Sequence, residues 1–348
     1  MTDKMVWGML AILALLMLFV QLPPKEVGGP LFQKGITYAS WRHDAYDTLG
    51  AARSVSLLKK TNAEWVSLVI TWYQETPDSV VIYRDPRLTP DNQGVINVID
   101  QIHRLGMKVL LKPTVDIADG TWRGGIRFES EEDWRAWFSS YRYFVDYYAE
   151  LAAEYGVEEF CVGVELDETV HRNKDWRQII EDVRTRFEGP LTYAANWSSY
   201  WNVPFWDALN YVGIDAYFQL ATAGGTSPEE LLTAWVPWVA ELETFYEIVK
   251  KPILFTEIGC CSVTGASAQP WDWTILGDVD FQEQAHYYEA AFLAVWNKPW
   301  FHGFYWWTWQ PESREIDDTG YTPQGKPAER ILTQWYAKST TRRLGGER

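Results

Sequence analysis

The chain has few of the residue types on which several protein classes depend. It contains three cysteines among 348 residues, an odd and low count that excludes a fold held together by disulfide bonds. Its five histidines include no pair with the spacing of metal ligands, so we predict no metal site. Basic residues are also scarce, since 31 Lys and Arg stand against 47 Asp and Glu and give a formal net charge of −16. A surface that binds nucleic acid requires clustered Lys and Arg, so we predict that nucleic acid is not a partner.

Several sequence patterns are missing as well. The chain shows no internal repeat of short period, no low-complexity segment and no GxGxxG pattern after its first predicted strand, which argues against a dinucleotide-binding fold. Aromatic residues are abundant instead, at 16% of the chain with 21 Trp. We expect most of these rings in the core, because aromatic side chains dominate ordinary packing. The remainder would suit a cleft that stacks the flat apolar faces of sugar rings.

The N-terminal residues differ from the rest of the chain. Met5–Val20 is a continuous apolar run, preceded by a lysine and followed by Pro-Pro-Lys. Its length is slightly short for a membrane-spanning helix, which needs roughly 17–25 residues, and it matches the core of a signal peptide. No clean cleavage site follows, so we favour an uncleaved anchor over a cleaved signal and expect the rest of the protein to be exported. We assign residues 1–24 to this signal or membrane anchor, 25–34 to a linker, 35–336 to a single catalytic domain and 337–348 to a polar tail.

Downstream of the linker, short apolar runs alternate with helical patterns. The predicted strands are Gly35–Trp41, Trp65–Tyr73, Lys108–Val115, Glu159–Leu166, Leu191–Trp197, Leu209–Phe218, Pro252–Ile258 and Phe301–Trp309. They are apolar on both faces, as strands of a parallel sheet covered by helices should be. Eight β–α units in roughly 280 residues predict an α/β fold of the (β/α)₈ TIM-barrel type rather than an open doubly wound sheet.

Helix starts are marked between these strands. Ser227-Pro228-Glu229-Glu230 combines an N-cap serine, a proline at the first helical position and a glutamate at the third. Ser130 and Asp280 are predicted to cap two further helices. The gap between the fifth and sixth strands holds Trp201–Asp207 and leaves room for little more than one turn.

Two predicted strands end in a glutamate among apolar residues, Glu165 on the fourth and Glu257 on the seventh. Burying a lone carboxylate costs several kcal/mol, so each must be paired, hydrogen-bonded or facing a cleft. For either residue taken alone, a purely structural role remains an alternative. The two residues together favour a catalytic site. Glycosidic cleavage needs an acid for the leaving oxygen and a second carboxylate at the oxocarbenium-like centre, about 5–5.5 Å away in retaining enzymes.

Ten stretches spread over the chain resemble, in their order and completeness, glycoside hydrolase family 113, which is typified by β-1,4-mannanases. They are GITYASW (35–41), WVSLVITWYQ (65–74), LGMKVLLKPTVD (105–116), WRGGI (122–126), FCVGVEL (160–166), GPLTYAANW (189–197), VGIDAYF (212–218), KPILFTEIG (251–259), PWDW (270–273) and GFYWWTW (303–309). The resemblance implies Glu165 as general acid/base and Glu257 as nucleophile. It further implies that the Tyr217 hydroxyl holds the nucleophile and that Trp306 or Trp307 forms an aromatic platform under the sugar at the cleavage point.

A wider set of residues near the predicted strand ends is expected to contact the sugar, although each could equally belong to the core or the rim. These residues are Trp41, Trp72, Lys112, Asp116, Trp122, Arg123, Asn196 and Trp197. The chain also departs from the family pattern around the catalytic pair. Val164 stands where many clan members have an asparagine before the acid/base, and Cys260-Cys261 follow the nucleophile where an aromatic and a basic residue are usual. Thr114 occupies a position where a polar ring is expected.

The sequence therefore predicts a retaining β-glycoside hydrolase, most similar to an endo-β-1,4-mannanase, that acts on an oligo- or polysaccharide. An exo-acting β-mannosidase or a transglycosylase is the alternative within enzymes. A catalytically weak, cell-surface sugar-binding barrel is the alternative of another class, although such a protein would have no need of two costly carboxylates. The chemistry requires no cofactor, and we expect a monomer that meets the membrane only through its N-terminal segment.

Overall fold

The structure is a computed structural model that describes residues 32–220, 227–311 and 318–340. The predicted N-terminal signal or anchor, most of the predicted linker and residues 341–348 of the predicted tail lie outside the described residues. Among the residues described, no helix is both long and apolar enough to span a membrane.

Eight parallel strands close into a barrel in chain order, with the last strand hydrogen-bonded to the first. The strands are β1 Gln33–Tyr38, β2 Trp65–Gln74, β3 Lys108–Ile117, β4 Glu159–Val164, β5 Leu191–Asn196, β6 Val212–Asp215, β7 Ile253–Ile258 and β8 Phe301–Trp309. The predicted (β/α)₈ fold is confirmed, and all eight predicted strands are present. Several boundaries differ from the prediction by one to three residues. The largest differences are that β1 begins at Gln33, inside the predicted linker, and that β6 is only four residues long.

Seven α-helices pack around the barrel within the described ranges. They are α1 Leu49–Lys59, α2 Asn92–Arg104, α3 Glu131–Glu154, α4 Asn173–Arg184, α5 Pro228–Val249, α6 Phe281–Val295 and α7 Pro327–Tyr336. The predicted caps are present, since the side chains of Ser130, Ser227 and Asp280 each accept a backbone hydrogen bond, and Ser227 forms a complete capping box with Glu230. The fully described crossover from β5 to β6 contains two short 3₁₀ turns, Tyr200–Asn202 and Trp206–Ala208, where the sequence predicted little more than one turn.

The strands are buried because side chains fill both of their faces. Alternate residues point outward to the helices or inward to the barrel axis. A small apolar cluster lies in the interior and comprises Trp65, Leu110, Cys161, Val164, Ala194 and Tyr305.

A polar group closes the floor of the barrel, at the N-terminal ends of the strands. Glu159, the first residue of β4, is fully buried and accepts a hydrogen bond from Gln33 Nε2 to its Oε2 at 2.6 Å. Gln33 in turn accepts from the hydroxyl of Tyr305 at 2.5 Å. Burial raises the pKa of Glu159 to about 8, and the single amide donor offsets this only in part. The floor therefore holds a neutral carboxylic acid at neutral pH.

Candidate active site

The two glutamates singled out in the sequence lie at the opposite end of the barrel, at its mouth. Glu165 directly follows β4, and Glu257 is the penultimate residue of β7. The C-terminal ends of parallel barrel strands meet at one rim, which is where barrel enzymes carry their active sites. Glu165 has a left-handed backbone conformation with φ 49°, and its N–H donates to Ala194 O at 2.8 Å. A non-glycine residue stays in that conformation when contacts with its surroundings hold it there, and the hydrogen bond to Ala194 O is one such contact.

Each carboxylate oxygen of Glu257 accepts one strong hydrogen bond. Lys112 Nζ donates to Oε1 at 2.5 Å, and the Tyr217 hydroxyl donates to Oε2 at 2.8 Å. Burial, and then the charge of Glu257, raise the pKa of Tyr217 well above its ordinary range, so the phenol keeps its proton and donates it. The position of Tyr217 beside Glu257 agrees with the role that the family resemblance implies.

Lys112 also contacts a second carboxyl group beneath Glu257. Its Nζ lies 3.2 and 3.4 Å from the two oxygens of Asp215, and Thr256 Oγ1 donates to Asp215 at 2.8 Å. Burial lowers the pKa of Lys112, but the charges of Asp215 and Glu257 more than reverse this and raise it above its ordinary range. Burial and the charge of Glu257 raise the pKa of Asp215 well above its ordinary value, against the lowering effect of Lys112. Lys112 therefore makes its shortest contact with Glu257 and bridges it to Asp215.

Glu165 accepts hydrogen bonds from three side chains. Asn196 Nδ2 donates to Oε1 at 3.2 Å, while Arg123 Nη1 and Trp122 Nε1 donate to Oε2 at 2.9 and 3.3 Å. The backbone N–H and the hydroxyl of Ser198 both donate to Asn196 Oδ1, at 3.0 and 2.8 Å. These two bonds fix the orientation of the amide, so that its NH₂ group faces Glu165.

Arg123 connects Glu165 to a neighbouring carboxylate. Its guanidinium pairs with Asp116 and also donates from Nε to Val115 O at 2.9 Å. Trp41 Nε1 donates to the other oxygen of Asp116 at 3.0 Å. Burial lowers the pKa of Arg123, whereas the charges of Asp116, Glu165 and Glu257 raise it. One guanidinium therefore interacts electrostatically with both Glu165 and Glu257.

Adjacent tryptophans at the end of β8 face opposite sides of the strand. Trp306 is fully buried and stacks on Tyr288 of α6 at 3.7 Å between ring centroids. Trp307 is partly exposed and meets Trp41 edge to face at 6.0 Å. Because side chains alternate along the strand, Trp307 lies at the mouth and Trp306 lies in the helix layer. Trp306 is therefore not available to a sugar.

One other predicted contact lies away from the mouth. Trp72 is buried between β2 and α3, where its Nε1 donates to the hydroxyl of Tyr148 at 2.9 Å and its ring packs against Phe144. Trp72 faces the helix layer because strand alternation turns it outward, so it is a core residue. The structure brings Trp41, Asp116, Trp122, Arg123, Asn196 and Trp197 to the mouth. The prediction that Lys112 contacts the sugar is wrong, because Lys112 is fully buried and its ammonium is engaged by Glu257 and Asp215.

The family model described as Glycoside Hydrolase Family 113 matches residues 36–326. This chain belongs to glycoside hydrolase family 113. No curated protein sequence matches it.

Solved structures of the family superpose closely on this member. The family 113 β-mannanase of Alicyclobacillus acidocaldarius has a TM-score of 0.82 and 35% sequence identity, with 88% of this chain and 97% of that chain covered. A second family 113 β-1,4-mannanase has a TM-score of 0.82 and 30% identity, covering 88% of this chain and 99% of that one. A β-glucuronidase from Ruminococcus gnavus, at 16% identity and a TM-score of 0.62, covers 88% of this chain and 50% of its own and shares the barrel fold. The protein is thus a glycoside hydrolase on a (β/α)₈ barrel.

The departures from the family 113 pattern have identifiable places in the structure. Val164 packs in the interior cluster of the barrel, so it offers the sugar no polar group. Thr114 turns its hydroxyl to Lys112 O at 3.2 Å. Cys260 and Cys261 are buried free thiols.

Two acidic residues near this family 113 site were not predicted from the sequence. Asp215 ends β6 among apolar residues, which is the same signal that marked Glu165 and Glu257, and it could have been found in that way. Asp167 lies two residues after Glu165 at the start of a 3₁₀ turn, where the sequence offers no comparable signal. Burial, with a smaller effect from the charge of Glu165, raises the pKa of Asp167 to about 6.

Proposed function

We propose that this glycoside hydrolase is an endo-β-1,4-mannanase that retains anomeric configuration, with Glu257 as nucleophile and Glu165 as general acid/base. The observation that carries the proposal is the different surroundings of the two carboxylates. Glu257 is held between a buried ammonium and a phenol, which suits a group that must attack as an anion. Glu165 has a hydrogen-bonding environment of amide, indole and guanidinium donors at the partly open mouth, which suits a group that exchanges a proton with substrate and water.

In the first step, a carboxylate oxygen of Glu257 attacks the anomeric carbon while protonated Glu165 gives its proton to the glycosidic oxygen. The glycosidic bond breaks, the shortened chain leaves as an alcohol, and an ester joins the sugar to Glu257. In the second step, Glu165 takes a proton from water, and the oxygen of that water attacks the anomeric carbon from the opposite face. The ester bond breaks, Glu257 returns as a carboxylate, and the two inversions leave the β-configuration unchanged.

Lys112 and Tyr217 aim the nucleophile and stabilise its charge. Each binds a different oxygen of Glu257, so the carboxylate plane is fixed before substrate arrives. Such preorganised donors need no rearrangement at the moment of reaction. The substrate assignment is supported by the two family 113 β-mannanases that this chain resembles over nearly their whole length.

A direct test uses Glu257→Ala and Glu165→Ala. Both variants should fold as the wild type does, and each should lose hydrolysis of β-mannan by at least about a thousandfold, as when a covalent catalyst is deleted. Proton NMR of the wild-type reaction should show the β-anomer as the first product. Initial release of the α-anomer would overturn the retaining mechanism, and full activity in either variant would overturn the assignment of that residue.

The substrate is tested separately with β-mannan, glucomannan, xylan, β-glucan and small aryl glycosides. We expect the highest kcat/KM on β-mannan or glucomannan, with oligosaccharides of several lengths among the early products. Release of single mannose units alone would replace endo action with exo action. Preference for xylan or β-glucan would replace mannan as the substrate while leaving the proposed chemistry intact.

A further inference from the structure

The proposed general acid has a cationic partner that opposes the donation of a proton. Arg123 Nη1 donates to Glu165 Oε2 at 2.9 Å, and the two side chains are only 19% and 11% exposed. A guanidinium at this distance favours the anionic form of a carboxyl group. The first step of the proposed reaction needs the protonated form, whereas the second step needs the anion that takes a proton from water. The site must therefore limit the effect of Arg123.

Asp116 engages most of the guanidinium of Arg123. Nη2 and Nε both donate to Asp116 Oδ1, Nε at 3.1 Å, and Nε also donates to Val115 O at 2.9 Å. The remaining nitrogen, Nη1, is directed at Glu165. Trp41 Nε1 donates to the other oxygen of Asp116 at 3.0 Å and so fixes that carboxylate. A cation that already has one carboxylate partner favours a second anion less strongly, because the two anions repel each other.

Arg123 is the cation that contacts Glu165 within the described part of the chain. The other two donors to Glu165, Asn196 and Trp122, are uncharged. The Lys112 ammonium is engaged instead by the carboxyl groups at the ends of β6 and β7. The protonation of Glu165 therefore depends on one contacting cation and on the anions that offset it.

The acidic groups that offset this cation come from several elements of the mouth. Tyr73 of β2 is kept neutral, because burial, and then the charge of Asp116, raise its pKa above the ordinary range. The acids that act electrostatically on Glu165 or Arg123 lie on β3, in the loop after β4, on β6 and on β7, and they are Asp116, Asp167, Asp215 and Glu257. Of these, Asp116 is the one that pairs directly with Arg123.

We propose that Arg123 and Asp116 are positioning residues with opposite effects on the proton of Glu165. Arg123 disfavours the protonated form, and Asp116 restores it by sharing the guanidinium. The inference rests on the proposed function and deepens it. Arg123 stabilises the anion that forms when Glu165 protonates the glycosidic oxygen, and Asp116 keeps that anion basic enough to take a proton from water in the second step.

The test compares the pH profiles of kcat/KM on β-mannan for Arg123→Met and Asp116→Asn. The basic limb of this profile reports the loss of the general acid's proton in the free enzyme. It should move to higher pH by about one unit in Arg123→Met and to lower pH by roughly half a unit to one unit in Asp116→Asn. A purely structural role would lower the rate in both variants without opposite shifts of the limb.

Two further variants test whether Asp116 acts through Arg123. The double variant Arg123→Met with Asp116→Asn should keep most of the upward shift, because the carboxylate has no guanidinium left to share. Arg123→Lys retains a positive charge and should bring the limb back toward the wild-type position.

A matched control is Arg172→Met. Arg172 lies in the same loop as Glu165, before α4, and is 17% exposed, close to the exposure of Arg123. It pairs with Glu131 at 2.6 Å and with Asp175 at 2.8 Å. Its removal should leave the basic limb in place.

Basic limbs that stay in place, or that move in the same direction in Arg123→Met and Asp116→Asn, would overturn the inference in an active enzyme. A wild type without activity on β-mannan would overturn the proposed function alone. The pair would then be judged by a ¹³C NMR titration of the Glu165 carboxyl group, assigned by its absence in Glu165→Gln, which needs no turnover. Its midpoint should move in the same opposite directions, and a midpoint unchanged in both variants would overturn the inference.

Discussion

The two ends of this barrel both hold buried carboxyl groups, but the surroundings of these groups differ. Strand β4 carries one at each end, with Glu159 as its first residue and Glu165 directly after its last. Glu159 is 0% exposed, has one hydrogen-bond partner and leaves Oε1 without a partner among the described residues. Glu165 is 8% exposed and accepts from three donors. A carboxyl group on an apolar strand is therefore no sign of an active site by itself, because its donors and its access to the cleft decide whether it can react.

The mouth also contains cations, whereas the described residues of the floor network, Glu159, Gln33 and Tyr305, include none. Arg123 pairs with Glu165, and Lys112 pairs with Glu257. A buried charge without a partner is neutralised by a change in its pKa, as at Glu159, whereas the ammonium of Lys112 can balance a charge on Glu257. This difference leads to three predictions, given in order of decreasing effect.

The largest effect is expected at the mouth from Lys112→Met. Removal of the ammonium leaves Glu257 with one donor and places it beside Asp215 without a shared cation. We expect kcat on β-mannan to fall by about 10²–10³, the usual result of deleting a preorganised catalytic donor. The measurement is kcat at saturating substrate, with circular dichroism to verify folding.

The control is Lys108→Met, at the other end of the same strand. Lys108 lies over the ring of Trp65 at 5.2 Å and contacts no catalytic candidate, so its removal should leave kcat unchanged. Adding Asp215→Asn to Lys112→Met should recover stability without recovering kcat. A Lys112→Met enzyme with wild-type kcat would show that the mouth does not depend on its buried cation.

An intermediate effect is expected at the floor, on stability rather than on activity. Folded Glu159 keeps its proton up to about pH 8, whereas the unfolded chain releases it near the ordinary value of 4.5. The unfolded state binds fewer protons in this interval, so the free energy of unfolding falls as pH rises from about 4.5 to 8. The contribution of Glu159 between pH 5 and 7 is roughly 3 kcal/mol at about 1.4 kcal/mol per pH unit.

Glu159→Gln removes this titration while keeping an acceptor for Gln33. Its free energy of unfolding, measured with urea at pH 5 and pH 7, should therefore fall less over that interval than that of the wild type. Its kcat should equal the wild-type value, because the floor takes no part in the reaction. Equal pH dependence in the two proteins would show that Glu159 is ionised in the fold.

The smallest effect is expected from Asp167→Asn. Asp167 becomes anionic above about pH 6 and then favours retention of the proton on Glu165, the proposed general acid. Without that charge, the basic limb of the pH profile for kcat/KM should move to lower pH by roughly half a unit to one unit. Glu168→Gln is the control, because Glu168 is exposed and its removal should leave the profile in place. A basic limb that is unchanged in Asp167→Asn would remove Asp167 from the site.

The sequence by itself determined the barrel, because eight apolar strands separated by capped amphipathic helices bury their surfaces together only in such a fold. It also located Glu165 and Glu257, since a carboxylate at the end of an apolar strand requires a special environment. The tertiary structure decided which way each neighbouring ring faces: Trp307 lies at the mouth and Trp306 under α6, and Trp72 lies under α3. Spacing along a strand shows that adjacent side chains alternate but not which set faces inward.

Tertiary structure alone also brought together residues that are distant in the chain. Lys112 meets Asp215 and Glu257 across the barrel axis, and Trp197 stacks on Trp271 from a different loop. The effect of such contacts depends on burial and on distances between atoms, because Coulombic interaction and desolvation both vary with position. The charge state of Glu159, the contacts of Lys112 and the stacking of Trp197 on Trp271 could be obtained only from the folded chain.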